Sequence, residues 1–356
     1  MTLEIIWFCL VCFFWMGYLV LEGFDFGVGI LLPVLARNEE DRRSMFATIG
    51  PVWDANEVWL IVAGGVTFGA FPLWYSTMFS GFYLALVLVL ILLIVRVLTF
   101  EWRSKVTSPR WRSLWTWTNT VGSIGAPLVW GIALSNLLQG VPINADHTYG
   151  GNFGDLFSPY TVLGGITFVL LFAFHGSVFL TLRTDGPLRE RSRHVSGLIG
   201  PVTIVVAAGY LAWTVGVAAE HNQRGVFPGV LLAALAAIAL IAAFGAIRAR
   251  REGIAFIATT SAIGLAVVTL FTSLYPRVMV SAPSFENSLT IANSASASYT
   301  LTVITIVAAV IMPVVLLYQG WTYHVFRARI TGTPPVSNPV DLLARKTKPA
   351  AADGDS

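Results

Sequence analysis

The chain has 356 residues, of which 56% are hydrophobic and only 12% charged, with a formal net charge of +3 and a mean hydropathy of +0.73. A charged share about half that of a soluble domain excludes a soluble α/β enzyme, a nucleic-acid-binding domain and a disordered regulator. The apolar residues form long unbroken runs instead of short alternating segments, which excludes a membrane β-barrel and leaves an all-α integral membrane protein.

Crossing a hydrocarbon core of ~30 Å takes about 20 residues per helix. Nine runs meet that length: residues 3–33, 51–74, 78–101, 113–139, 158–183, 195–219, 226–247, 254–276 and 297–325. The first carries Glu4 in place of a basic leader and is expected to stay uncleaved. It also holds Cys9 and Cys12, which read as small apolar helix residues because no second thiol pair or nearby histidine completes a metal site. Residues 140–157, rich in Gly and Asn, read as an ordered surface loop or short lid between the fourth and fifth spans. Spans one to four and five to eight read as two four-helix bundles, with the ninth helix peripheral. Residues 331–356, with Pro334, Pro335, Pro339 and Pro349, read as a disordered cytoplasmic tail. Most tryptophans near span ends, including Trp53, Trp59, Trp74, Trp102, Trp111, Trp115 and Trp117, read as an aromatic belt.

Basic residues set the expected topology. Arg37, Arg42 and Arg43 follow span one; Arg103, Lys105, Arg110 and Arg112 follow span three; Arg183, Arg189, Arg191 and Arg193 follow span five; Arg248, Arg250 and Arg251 follow span seven. Arg327, Arg329, Arg345, Lys346 and Lys348 follow span nine, so all but Arg96, Arg224 and Arg277 of the 22 Lys and Arg lie on one side. That bias predicts a cytoplasmic C-terminus and an outside N-terminus.

An ionisable group inside a span costs roughly 2.5–3.5 kcal/mol at the bilayer centre, so each one points to function. Glu22 and Asp25 are three apart in span one, as are Asp54 and Glu57 in span two, and each pair therefore shares a helix face. Arg96 lies inside span three, with Glu101 near its boundary. At ~1.5 Å per residue, Asp25 lies ~12 Å, Asp54 and Glu57 ~5–9 Å and Arg96 ~8 Å from the same cytoplasmic surface. Four carboxylates at one depth against one arginine cannot all be cheaply ionised, which suits proton carriage in a hydrated pocket. The alternative is a structural ion-pair network that only fixes helix register. His175 in span five could ligate haem iron, but no second suitable ligand lies near it in sequence. Gly23 and Gly27 form a G-x-x-x-G face for close helix packing. A secondary transporter is a rival reading; its polar groups belong at mid-membrane in broken helices, whereas these acids cluster toward one surface.

Several motifs occur in order over about residues 10–325: G-F-D-F-G-V-G (23–29), W-D-A-N-E-V-W-L-I-V-A-G-G (53–65), F-S-G-F-Y (79–83), R-x-x-x-F-E-W-R-S-K (96–105), R-W-R-S-L-W (110–115), N-L-L-Q-G-V-P (136–142) and S-L-T-I-A-N-S-A-S (288–296). As an ordered set they resemble subunit II of the cytochrome bd-type quinol oxidases. The resemblance implies a heterodimer with a subunit I that holds two b-type haems and one d-type haem, and no haem ligated by this chain. It implies quinol oxidation coupled to reduction of oxygen to water, with lipids around the complex and no nucleic-acid partner. A structural quinone in this subunit and small accessory subunits are left open. By resemblance, Asp25 and Asp54 match acids of a cytoplasmic proton pathway and Trp59 a residue near a hydrophobic oxygen route. Glu57, Arg96 and Glu101 adjoin that pathway. Relatives can carry glutamine at the positions of Glu57 and His175, so neither residue is expected to be indispensable. A purely structural role in assembly is the remaining alternative.

Overall fold

The computed structural model describes residues 2–221 and 226–331; the tail assigned to 331–356 lies outside them except for its first residue, as does Arg224. The chain is mostly helical: α1 Thr2–Leu35, α2 Glu39–Ile49, α3 Trp53–Ala70, α4 Pro72–Gly81, α5 Tyr83–Trp102, α6 Pro109–Gln139, α7 Pro159–Arg183, α8 Gly186–His221, α9 Phe227–Arg248, α10 Glu252–Leu274, α11 Ile291–Ser294 and α12 Ser298–Val325. A short antiparallel pair, β1 (Arg277–Met279) with β2 (Leu289–Thr290), precedes α11.

Among the described residues eight helices are long and apolar enough to cross a membrane: α1, α5, α6, α7, α8, α9, α10 and α12. The predicted run 51–74 differs, because it is split between α3 and α4. Pro72 opens α4, and the preceding Phe71 leaves helical geometry at φ −135, ψ 68. Proline disfavours helical backbone in the residue before it and cannot donate to the preceding turn. What remains in α3 is 18 residues, ~27 Å of helix. The predicted run 78–101 likewise starts later, at Tyr83, and α8 starts earlier, at Gly186, with its charged first turns already helical. α2 falls in what reads as a loop. Asn38 caps it, its side chain accepting from the Asp41 N–H at 2.8 Å, and Glu39, Glu40 and Asp41 suit the positive end of the helix dipole.

The core lies where α1, α6 and α7 meet, and it is built on close backbone approach. Lipid tails are as apolar as leucine, so helices in a membrane associate through packing more than through hydrophobic burial. A Cβ at Gly27 would sit 2.7 Å from the Gly176 Cα, and one at Gly131 would sit 2.6 Å from the Gly165 Cα. The G-x-x-x-G face of α1 thus contacts α7, with Gly23 against Phe172. α6 and α7 are the most enclosed spans, with 72% of their most apolar stretches buried, against 6% for α12. Trp7, Trp15, Trp74 and Trp130 are core residues, and so is Trp59. Of the tryptophans assigned to a belt, Trp102 and Trp117 are exposed, whereas Trp59 and Trp74 are buried.

The two ends of the bundle differ chemically. At one end, residues 141–157, β1, β2 and α11 form a cap: Val141 donates its N–H to the Val280 carbonyl at 3.1 Å, and Thr77 donates its hydroxyl to the His147 carbonyl at 2.8 Å. The loop read at 140–157 is therefore ordered. At the other end sits a girdle of ion pairs. Arg103 makes a two-pronged contact to Glu39 (2.7 and 2.8 Å), Arg191 pairs with Asp41 at 2.6 Å, and Arg189 and Arg193 both reach Glu252 (2.8 and 2.6 Å). Burial would raise the Glu39 carboxyl, but the Arg103 fork, with Arg112 and Arg43 nearby, holds it below the usual glutamate range.

Candidate functional site

The site begins on α1, where Glu22 and Asp25 are both fully buried. α5 brings Arg96, also fully buried, against Glu22 in a direct ion pair. The same guanidinium reaches Glu57 of α3 at 3.4 Å and lies over the Phe26 ring at 4.7 Å. Arg96 is held from behind by α6, whose Gly122 lets the two helices close, while the Asn119 side chain donates to the Arg96 carbonyl at 3.4 Å.

Asp25 has a different partner. Asn56 of α3 donates its side-chain N–H to the Asp25 carboxylate at 2.7 Å and to the Leu21 carbonyl at 3.3 Å. The Asn56 carbonyl oxygen in turn accepts from the Tyr323 hydroxyl (2.7 Å) and the Gln319 amide (3.2 Å), both on α12. One asparagine therefore ties α1, α3 and α12 together. Several buried polar atoms here have no protein partner: Glu22 Oε2, Asp25 Oδ1, Arg96 Nε and Nη2, Asn119 Oδ1 and Ser123 Oγ. Buried polar atoms are almost always satisfied, and ordered water is the usual partner where protein supplies none.

The cluster has a closed side and an open side. Toward the cap, one turn along α1, Tyr18, Trp15 and Trp130 pack edge to face with centroids 5.0–6.3 Å apart, all buried. Toward α3 the burial relaxes: the Glu57 side chain is 19% exposed, and Asp54 is exposed. Asp54 and Glu57 lie three residues apart, on one face of α3. Asp54 opens onto a groove of about 550 Å³ between α3 and α12, lined by Trp7, Phe14, Asp54, Trp59, Val62, Met312 and Gln319. The Trp59 indole packs against Phe13 and Phe14 at 5.9 and 6.0 Å and forms part of this groove wall.

Among the residues singled out from sequence, Glu22, Asp25, Glu57 and Arg96 converge, Asp54 stands at the entrance, and Trp59 lines the groove. Glu101 lies exposed at the end of α5 and does not join the cluster; the neighbouring Arg103 is the buried residue there. Asn56, Gln319 and Tyr323 were not anticipated. Their one sequence signal is that each is polar within an apolar run, which attracts less notice than a formal charge.

His175 is fully buried among α1, α7 and α10. Its Nδ1 bonds the Thr259 hydroxyl at 2.7 Å, its ring stacks on Phe256 at 4.9 Å, and Phe24 meets its edge at 5.9 Å. The ring is thus enclosed by aromatic side chains with its Nδ1 bonded, while its Nε2 has no hydrogen-bond partner among the described residues. No group of three or more His, Cys, Asp or Glu suited to a metal ion occurs among the described residues. Replacing His175 by alanine is expected to leave the haem content of the purified complex unchanged, measured by pyridine haemochrome; loss of a haem band would contradict the expectation that this chain ligates no haem.

Comparison with known proteins agrees with this architecture. Residues 3–326 match the family described as cytochrome bd terminal oxidase subunit II. The chain is 40% identical over 336 residues to the cytochrome bd ubiquinol oxidase subunit 2 of Bacillus subtilis, covering 94% of this chain and 99% of that protein. It is 36% identical over 362 residues to the cytochrome bd-I ubiquinol oxidase subunit 2 of Escherichia coli K12, covering 93% and 96%. Its fold matches a chain of the bd oxidase from Geobacillus thermodenitrificans, with a TM-score of 0.74 and 19% identity over 91% of this chain and 97% of that one. The eight apolar spans and the bacterial relatives make it a multi-pass inner-membrane protein. The chain belongs to the cytochrome bd terminal oxidase subunit II family.

Proposed function

We propose that this chain is the haem-free subunit II of a quinol:oxygen oxidoreductase, paired with a haem-bearing subunit I, and that it admits protons from the cytoplasm through Asp54, Glu57, the Arg96–Glu22 pair and Asp25. The observation that carries the reading is the gradient of burial along these groups, from exposed Asp54 through partly exposed Glu57 to the enclosed Glu22 and Asp25. A proton relay needs groups within reach of one another or of an intervening water, an open end and a sealed end. The aromatic packing of Trp15, Tyr18 and Trp130 supplies the seal. Arg96 keeps the cluster tolerably charged while a proton moves through it, since one guanidinium faces three carboxylates. Trp59 and the groove beside it offer an apolar path from lipid for oxygen.

Orientation follows the positive charge: the girdle containing Arg103, Arg191 and Arg193 is cytoplasmic, and the cap is outside. α3 then makes a ninth, short crossing. Its last carbonyls, Gly69 and Ala70, accept from Ser296 in the cap segment at 2.8 and 2.9 Å, while its first turn lies beside α2. On this reading α1, α3, α5 and α6 form one four-helix group, α7 to α10 the other, and α12 is peripheral.

Asp25→Asn and Asp54→Asn test the pathway. The amide at position 25 can still accept from Asn56 but cannot carry a proton. Each variant is expected to slow oxygen consumption at least about tenfold, equivalent to 1.4 kcal/mol on the barrier, with unchanged haem spectra. Normal turnover and normal charge generation in both would defeat the pathway. Loss of haem together with activity would favour a purely structural subunit instead.

A further inference from the structure

At the charged end of the bundle, the first turns of α8 and the last turn of α9 enclose a cleft of about 350 Å³ whose lining includes Arg193, His194, Arg248 and Arg250. We propose that this cleft binds the phosphate headgroup of an anionic phospholipid.

The charges in the cleft are not mutually cancelled. Its one carboxylate among the described lining residues, Glu190, accepts from Arg193 at 2.5 Å, and Arg193 also donates to Glu252 at 2.6 Å. Arg250 is near enough to Glu190 to help Arg193 hold that carboxyl below the usual glutamate range, which leaves one carboxylate against Arg193, Arg248 and Arg250 in the described lining. Arg248 and Arg250 belong to a tightly bonded turn: Ala249 donates to the Gly245 carbonyl at 2.9 Å and Arg251 to the Ala246 carbonyl at 2.8 Å. Arg250 sits in that turn at φ +58, the left-handed position that ends many helices and that glycine ordinarily fills. A side chain held there against the backbone preference points to a use for its charge.

The cleft also continues into an apolar seam. Leu198 lines it, and Val202 and Val205 follow on the same face of α8, exposed by 60, 52 and 72%. On α9, Phe244 and Ile241 lie one and two turns from Arg248 on its face. A cationic cleft at the end of two spans, above an exposed apolar seam, matches a molecule with an anionic head and a hydrocarbon tail. A free phosphate would use the first feature alone.

The test uses the purified complex with its partner subunit, stripped of lipid in detergent and titrated with dioleoyl phosphatidylglycerol or dioleoyl phosphatidylcholine. Bound lipids are counted by native mass spectrometry. Phosphatidylglycerol is expected to fill one site more tightly than phosphatidylcholine. Arg248→Gln with Arg250→Asn, the asparagine chosen because it tolerates the left-handed backbone, is expected to weaken phosphatidylglycerol about 25-fold, roughly fivefold per charge at a membrane surface. Phosphatidylcholine binding and oxygen consumption should not change. If the variant does not assemble, the wild-type complex decides. Phosphatidylglycerol affinity should fall as salt rises from about 0.1 to about 1 M, where the Debye length shrinks from ~10 to ~3 Å. Equal affinity for the two lipids, unchanged phosphatidylglycerol affinity in the double variant, or no salt dependence would overturn the proposal. So would displacement of the lipid by millimolar inorganic phosphate, which would mark a plain anion site.

Discussion

Arg96→Met is expected to prevent accumulation of the assembled complex, at a cost of about 3–5 kcal/mol, the usual penalty for removing one member of a buried ion pair. Methionine fills much of the same volume, so the loss isolates charge from packing. Glu22 and Asp25 are fully buried and would have no cation facing them, while Glu57 would lose its one described cationic contact. Arg96→Lys restores the charge without the planar fork or the stacking on Phe26 and should recover part of the yield. Arg96→Met combined with Glu22→Gln should be less damaging than the single change, because one of the carboxylates left without a partner is then gone. Yield and melting midpoint of the solubilised complex are the measurements. An Arg96→Met complex that accumulates and melts like wild type would mean the cluster is held together by something other than this arginine.

Gly27→Ala is the second large effect, expected to cost about 3 kcal/mol or more by overpacking. The new methyl would lie 2.7 Å from the Gly176 Cα and 2.8 Å from its nitrogen. Backbone cannot rotate away as a flexible side chain can, so α1 and α7 must separate. The control is Gly209→Ala on α8, where a Cβ meets nothing within 4 Å and alanine favours the helix. Gly176→Ala should behave like Gly27→Ala, and the double variant should cost less than the sum, because one separation accommodates both methyls. A Gly27→Ala protein as stable as Gly209→Ala would show that the α1–α7 crossing has slack that its geometry does not suggest.

How much of this was readable beforehand can be judged residue by residue. Glu22, Asp25 and Arg96 are charges in apolar runs, and their shared depth was readable, though not that their side chains face one another. Gly23 and Gly27 declared a close crossing by their spacing, though not that α7 is the partner. Asp54 and Asn56 show what was not readable. Both lie in W-D-A-N-E, and the formal charge drew attention to Asp54, yet Asn56 is the residue that points inward to Asp25 while Asp54 faces the α3–α12 groove. A helix in water declares its inner face by a stripe of apolar residues. A helix in lipid is apolar all round, so its rotation about its own axis leaves little trace in composition.

The amino-acid sequence by itself determined that the chain lives in a membrane, where most of its helices run, which end carries the positive charge, and which family its ordered motifs belong to. These are properties of runs and of spacing along one dimension. The tertiary structure alone decided that Pro72 splits the second run, that Arg103 closes on Glu39, that His175 is enclosed by aromatic rings, and that Asn56 joins three helices. Each of those depends on which face of a helix meets which neighbour, and between helices surrounded by hydrocarbon that choice is made by backbone fit and a few polar contacts, not by hydrophobicity.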